Sequence, residues 1–175
     1  MAKSDSFFIR AKVTTNGTTF VPTEIDLGSF VNLGVSKSTL LRIHNISVQY
    51  ADVSAGPAGV IYSLGASGGK IAWQLTTQSQ AALVTADDKS LVSAGGLSLF
   101  GNSNSTAYAV GQSQNEDINP QMWTQGFLVG VDSLFLGVNT TATITSGEAS
   151  VSVVLECTLE NATQANSVAL ALSQQ

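Results

Sequence analysis

Polar and apolar residues alternate along much of this 175-residue chain, most regularly between Glu148 and Glu160. In that run every second residue is apolar, namely Val151, Val153, Leu155, Cys157 and Leu159. Because successive side chains of a strand point to opposite faces, the pattern predicts a long strand with one core face and one mostly polar face. We expect Cys157 to pack there as a small apolar side chain rather than to act as a nucleophile.

The N-terminal segment alternates in the same way. Apolar side chains at positions 9, 11 and 13 are separated by Arg10 and Lys12. Asn16 and Gly17 then tolerate positive φ, and the alternation resumes after them. This segment predicts a β-hairpin, and Pro22 predicts that the second strand lies at a sheet edge or at a bend.

The apolar parity changes once within a single extended segment. Leu41 and Ile43 share one parity, whereas the next apolar residues take the other: Ile46, Val48 and Tyr50. Such a switch indicates a β-bulge or a strand that bends from one sheet into another. His44 and Asn45 lie at the switch.

Several shorter strands complete the predicted set: Gly59–Leu64, Ile71–Thr76, Leu97–Phe100, Thr106–Val110, Trp123–Val131 and Ser133–Thr145. Gly- and Ser-rich stretches between them predict loops, including Gly111–Asn119. Residues 163–172 fit a C-terminal helix with Thr163 as N-cap, although Val168, Leu170 and Leu172 also alternate as in a strand; we favour the helix. The whole predicts one antiparallel β-sandwich domain over residues 1–175, preceded by a short segment at residues 1–6.

Charge is sparse and unevenly distributed. Only 11% of the residues are charged, against about 25% in ordinary globular proteins. All seven basic residues lie in the first 89 positions, and the net charge is −5. We therefore expect the weakly charged surface to be covered by copies of the chain or by another protein. We also expect no membrane span and no secretory signal, which predicts synthesis and use in a cytoplasm.

Few residues could carry chemistry. A Ser-His-Asp site would need His44, the single histidine, and no glycine-flanked serine accompanies it, so we do not expect an enzyme. Two acidic pairs, Asp87–Asp88 and Glu116–Asp117, could bind Ca²⁺ through their oxygens, although a solvated turn explains each equally well. Scattered aromatic residues could form a stacking surface, but core or interface packing is the commoner role: Tyr50, Tyr62, Trp73, Tyr108 and Trp123.

Four segments carry a resemblance to a known family: Thr23–Phe30, Leu41–Ile46, Phe127–Val138 and Val151–Leu159. In these segments the chain resembles the single jelly-roll capsid proteins of small icosahedral viruses, especially small environmental DNA viruses. The resemblance implies an all-β fold, an antiparallel β-sandwich of jelly-roll type with about eight strands and at most one or two short helices. It further implies a structural virion protein, a capsid subunit that assembles into a large homo-oligomer around a viral genome. We expect no cofactor, with calcium bound by the acidic pairs at subunit junctions as the alternative.

Such capsid proteins often carry a basic N-terminal arm, and only Lys3, Arg10 and Lys12 could serve that purpose here. We expect these three residues to face any packaged nucleic acid, with non-specific contacts. The alternative is a pilus, fibre or surface-adhesion subunit that assembles by strand exchange, or a phage decoration or spike protein.

Overall fold

Two antiparallel sheets form the body of the computed structural model, which describes residues 5–34, 38–59, 61, 68–100, 111–141 and 148–174. The strands are β1 (Phe7–Thr14), β2 (Val21–Asp26), β3 (Ser38–Asp52), β4 (Gly69–Thr76), β5 (Leu91–Phe100), β6 (Gly111–Ile118), β7 (Phe127–Val129), β8 (Ser133–Thr140) and β9 (Ala149–Ala162). A 3₁₀ turn spans Pro120–Met122, and helix α1 spans Gln164–Ser173.

The strand order identifies the architecture. The first sheet runs β1-β9-β3-β7 and the second runs β2-β8-β4-β5-β6. Strands β1 to β5 and β7 to β9 thus form two four-stranded sheets joined by crossovers, the arrangement of a jelly roll. Strand β6 adds a fifth strand at one edge of the second sheet. The predicted fold class, an antiparallel sandwich of jelly-roll type, is confirmed.

Strand β9 is central to the first sheet and supplies much of the core. It pairs with β1 from Phe7–Cys157 to Thr14–Ser150, and with β3 along almost its whole length. The predicted core face is confirmed from Val151 to Cys157, where alternate side chains are fully buried against the second sheet. Beyond Cys157 the pattern changes, because Thr158 and Glu160 are also buried.

Helix α1 follows this end of β9 and lies beside Glu160. Thr163 is its N-cap, as predicted, and the Thr163 hydroxyl accepts a hydrogen bond from the Asn166 N–H at 3.4 Å. The strand interpretation of this segment is therefore wrong. A hydrogen bond of 2.8 Å joins the hydroxyls of Ser167 and Ser38, so α1 lies over the outer face of the first sheet where β3 begins.

The predicted β-bulge in β3 is also confirmed. Its pairing with β9 shifts between Ile43 and Asn45, so that His44 is the extra residue. Leu41 and Ile43 face the core before the bulge, and Ile46 does so after it. One inserted residue thus keeps both halves of a 15-residue strand packed against the same core.

The predicted N-terminal hairpin is wrong. β1 pairs with β9 in the first sheet, whereas β2 pairs with β8 in the second, so the turn at Asn16–Gly17 is a corner between sheets. Gly17 does adopt a positive φ of 53°. The expected positive φ at this turn is therefore confirmed, but a tight turn does not decide whether the strands on either side of it pair with each other. Pro22 lies on an edge strand, as predicted.

The segment predicted as a loop at Gly111–Asn119 is mostly strand, because residues 111–118 form β6 along β5. Its residues are mostly polar and lack apolar alternation, so main-chain pairing rather than burial forms this edge strand. Of the shorter predicted strands, Ile71–Thr76 lies within β4 and Leu97–Phe100 is the end of β5. Only three residues of Trp123–Val131 are strand, and Ser133–Thr145 is strand to Thr140. Thr106–Val110 and most of Gly59–Leu64 lie outside the described residues.

Two glutamine side chains complete the β7 side of the first sheet. The Gln121 amide accepts a hydrogen bond from the Ile46 N–H at 3.2 Å and donates one to the Ile46 carbonyl at 3.1 Å. The Gln174 amide accepts from the Gly130 N–H at 2.9 Å and donates to the Leu128 carbonyl at 2.6 Å. Each amide thus pairs with main-chain groups as a neighbouring strand would.

Replacing Leu155 with Asp should abolish soluble folded protein, because the side chain is fully buried in the centre of β9 and an unpaired carboxylate there costs several kcal/mol. Glu156→Ser, on the other face of the same strand, should change the free energy of unfolding by no more than about 0.5 kcal/mol. Expression in the soluble fraction and urea denaturation provide the measurements. Equal damage from both substitutions would contradict the face assignment.

Candidate functional site

The outer face of β1 carries the two basic residues predicted to face nucleic acid. Arg10 and Lys12 are both exposed and lie on the same face, opposite Val154 and Ser152 of β9. The Arg10 guanidinium carbon lies 5.7 Å from the centre of the exposed Phe8 ring, within cation–π range. Lys3, the third predicted residue, lies outside the described residues.

This face, which we call the basic face, continues across the first sheet. Arg10 and Lys12 line an open concavity of about 410 Å³ with Gln49 of β3 and with Ser152 and Val154 of β9. The other residues that line it are uncharged. The two cations therefore share one exposed face of the first sheet.

Two other basic residues are already engaged. Arg42 binds Glu160, and Lys70 Nζ lies 3.6 Å from an Asp117 carboxylate oxygen at the edge of the second sheet. Lys89 is exposed in the β4–β5 connection. Among the described residues, the basic face is therefore the place where two cations lie side by side without an ion pair in the structure.

The first acidic pair, Asp87 and Asp88, accepts hydrogen bonds from its own connection between β4 and β5. The Thr85 hydroxyl donates a hydrogen bond to Asp87 and is the main cause that lowers the pKa of that carboxyl. Asp88 accepts hydrogen bonds from the N–H and the hydroxyl of Ser90, at 2.8 and 2.6 Å. Both residues therefore stabilise the β4–β5 connection locally.

Glu116 and Asp117 lie in strand β6, not in a loop as predicted, and both side chains are exposed. Glu116 pairs with Gly95 and Ile118 pairs with the adjacent Ala94, so Asp117 is an extra residue at a β-bulge, where it faces Lys70. In the described part of the chain no three His, Cys, Asp or Glu side chains come together as a metal site requires. Calcium at a subunit junction stays a prediction.

The predicted polar face of β9 contains a buried ion pair that the sequence did not reveal. Arg42 donates to both carboxylate oxygens of Glu160, from Nε at 2.6 Å and from Nη2 at 2.8 Å. Its Nη1 donates to the Gln125 carbonyl at 2.7 Å. The side chain of Glu160 is only 5% exposed, so this pair is held in a largely desolvated place.

A cavity of about 550 Å³ adjoins the ion pair between α1 and the first sheet, with Leu40, Leu128 and Leu170 among its apolar lining. The adjacent residues Leu40 and Leu41 are both buried, although they point to opposite faces. Two adjacent leucines, both apolar, indicate in the sequence that another element covers the outer face of the sheet at this end of β3. The alternation pattern of β9 alone does not show that Glu160 is buried.

His44 and Cys157 occupy structural positions. His44 Nε2 lies 2.8 Å from the Thr158 hydroxyl on the neighbouring strand. Cys157 is completely buried, and burial, with a smaller contribution from Glu156, raises the pKa of its thiol to about 12. The thiolate that a nucleophile requires is therefore disfavoured there.

The aromatic residues do not form one stacking surface. Trp73 is buried in the core, whereas Trp123 is exposed and its ring centre lies 6.0 Å from that of Phe127. Tyr50 is half-buried, and burial raises the pKa of its hydroxyl. Tyr62 and Tyr108 lie outside the described residues.

Among the described helices, none has both the length and the apolar character needed to cross a membrane.

Sequence comparisons identify no relative: no family model matches the chain, and no curated protein does. Among solved structures, VP1 of Trichodysplasia spinulosa-associated polyomavirus in complex with GM1 oligosaccharide is similar at 8% identity and a TM-score of 0.40, over 89% of this chain and 93% of that one. Merkel cell polyomavirus VP1 in complex with disialyllactose is similar at 7% identity and a TM-score of 0.37, over 90% and 95%.

Dimeric latent PorU from Porphyromonas gingivalis is similar at 10% identity and a TM-score of 0.35, over 81% of this chain. The present chain spans only 10% of PorU. At such identities and TM-scores, function has to be argued from the chain's own surface.

Removing one partner of the buried ion pair should be strongly destabilising. Glu160→Ala leaves the Arg42 guanidinium largely buried without its carboxylate, which we expect to lower the free energy of unfolding by about 3–5 kcal/mol. The double variant Arg42→Met, Glu160→Leu should recover most of that loss, because apolar residues suit the leucine-lined cavity. Chemical denaturation of the three proteins measures both effects, and equal loss in the single and double variants would contradict this account.

Cys157 should resist alkylation in the folded protein and react on unfolding. At pH 8 iodoacetamide should leave the native thiol unmodified, while the chain in urea is alkylated quantitatively, as mass spectrometry would show. The pKa of the thiol is about 12 when folded and about 8.5 in an unfolded chain. Because folding raises the pKa of the Cys157 thiol, the free energy of unfolding should fall progressively as the pH rises above about 8.5. Rapid alkylation of the native protein would show that β9 opens readily.

Proposed function

We propose that this chain is a structural protein, a self-assembling capsid subunit that encloses a viral genome. The observation that supports this most directly is the exposure of large apolar side chains on three different elements of the fold. Phe8 on β1 is 54% exposed, Met122 in the 3₁₀ turn 64%, and Leu172 on α1 66%. Two of them have an exposed apolar neighbour, Trp123 beside Met122 and Val168 one helical turn from Leu172.

Single exposed apolar residues are common on monomeric proteins, so their distribution matters more than their number. Here they lie on a strand, a turn and a helix rather than in one cleft, and only 11% of the chain is charged. A closed shell needs several distinct contacts per subunit, each burying about 1,200–2,000 Å². A surface with several weakly solvated areas suits that requirement better than it suits binding a single small ligand.

The proposal includes copies of the chain as its principal partners, a large homo-oligomer as its state and the virion as its location. It assigns the chain no catalytic role and no resident cofactor. The positions of His44 and Cys157 support this, since one is bonded to a neighbouring strand and the other is buried in the core. Calcium would enter at subunit junctions, where acidic pairs of two subunits meet.

Electron microscopy of the purified full-length chain tests the proposal. We expect closed particles of uniform size, formed without other proteins. Filaments would instead favour the pilus or fibre alternative, and isolated trimers a decoration or spike protein. A chain that stays monomeric at high concentration across a range of salt and pH would overturn self-assembly altogether.

The basic face gives a prediction about cargo. Replacing Lys3, Arg10 and Lys12 with Gln should reduce the nucleic acid that co-purifies with particles, because phosphate contacts depend on these cations and weaken steeply with salt. Assembly should continue, since Arg10 and Lys12 are exposed and support no core contact. The ratio of absorbance at 260 and 280 nm measures the cargo.

Lys89→Gln provides the matched control, because Lys89 is an exposed cation away from this face. It should leave the cargo unchanged. Equal cargo in the triple variant and the wild type would show that the genome is neutralised elsewhere.

A further inference from the structure

Helix α1 presents an apolar stripe to solvent. Its outward residues are Ala165, Val168, Ala169 and Leu172, all exposed, at the spacing i, i+3, i+4 and i+7 that places side chains on one helix face. We call these four residues the α1 stripe. Val168 is 45% exposed, and no residue after Glu160 carries an ionisable side chain.

The other side of α1 is already occupied by its own subunit. Ser167 is hydrogen-bonded to Ser38, and Leu170 packs near Gly130, where an added Cβ would lie 3.1 Å from the leucine side chain. Gln174, just beyond the helix, binds Leu128 and Gly130 through its side chain, while its carbonyl accepts a hydrogen bond from the Thr77 hydroxyl at 2.7 Å. The helix is thus fixed at both ends, so its apolar stripe faces outward in the folded subunit.

We propose that the α1 stripe is a two-fold contact in which α1 packs antiparallel against α1 of a second copy of this chain. The residues are self-complementary in this arrangement. An antiparallel copy centred between positions 168 and 169 places each Leu172 over an Ala165 and each Val168 over an Ala169. Every large side chain therefore meets a small one, as close helix packing requires, and the contact uses the same patch on both copies.

Charge and size refine the proposal. The stripe contains no charged group that a second copy would repel, and antiparallel helices oppose their dipoles favourably. Ala171, next to the stripe, lines a cavity of about 580 Å³ that contains both apolar and polar residues, among them Leu33 and Asp132. A ten-residue helix is only about 15 Å long, so the contact is smaller than a standard interface. It therefore serves as one of several contacts in a closed assembly, and in this respect the inference rests on the proposed shell.

Cysteine cross-linking of the full-length assembled protein tests the contact. Ala169→Cys places a thiol beside the two-fold axis, and mild oxidation should convert most of the protein into disulfide-linked dimers on a non-reducing gel. Ala86→Cys, an equally exposed alanine in the β4–β5 connection, should remain largely monomeric. The buried Cys157 should not interfere in either variant.

A second pair of variants tests the energetic role of the stripe. Val168→Gln combined with Leu172→Gln keeps good helix-forming residues, and should raise the protein concentration needed for assembly about tenfold or more. Val53→Gln, at an apolar residue 52% exposed but far from α1 in the chain, should leave it unchanged. Light scattering against concentration provides the measurement.

The outcomes separate this inference from the proposed function. If the wild-type chain forms particles but the Ala169→Cys variant does not cross-link, or cross-links no more than the Ala86→Cys variant, the α1 contact is overturned and the proposed shell is not. A wild-type chain that never assembles would overturn both.

Discussion

The fold depends on the two-sided pairing of β9. This strand pairs with β1 along one edge and with β3 along the other, so its main chain is saturated with hydrogen bonds while its alternate side chains fill the core. Strands β1 and β3 are distant from β9 in the sequence. This sheet therefore forms only when β9 pairs with strands from the first third of the chain. Such long-range pairing makes folding slow relative to local structures, but it also makes the finished sheet cooperative.

The bulge at His44 and the ion pair between Arg42 and Glu160 both involve the first half of β3. The bulge lets a single long strand change parity and remain packed on the core on both sides of it. Before the bulge, the outer face of β3 carries Ser38, Leu40 and Arg42, and α1 covers this area. A charged pair is tolerated there because Arg42 makes three hydrogen bonds, which offset part of the cost of removing two charges from water.

Sequence patterns predicted those parts of the fold in which burial alone decides the structure. The core face of β9, the parity switch in β3 and the N-cap of α1 all follow from local rules. The N-terminal hairpin was wrong because turn residues specify a change of direction, not which strands pair. Strand β6 was missed because an edge strand of polar residues has no burial pattern. The Arg42–Glu160 pair was missed because it depends on a helix that covers one end of a face otherwise exposed.

The two glutamine amides at the β7 side of the first sheet have a consequence for how the protein behaves at high concentration. Unpaired main-chain groups on a sheet edge invite another chain to add a strand, which leads to irregular aggregation. The side-chain amides of Gln121 and Gln174 form hydrogen bonds with such main-chain groups. Because these amides are neutral, the hydrogen bonds respond little to pH or salt. Another chain is thus hindered from adding a strand at these positions, even when the protein is concentrated.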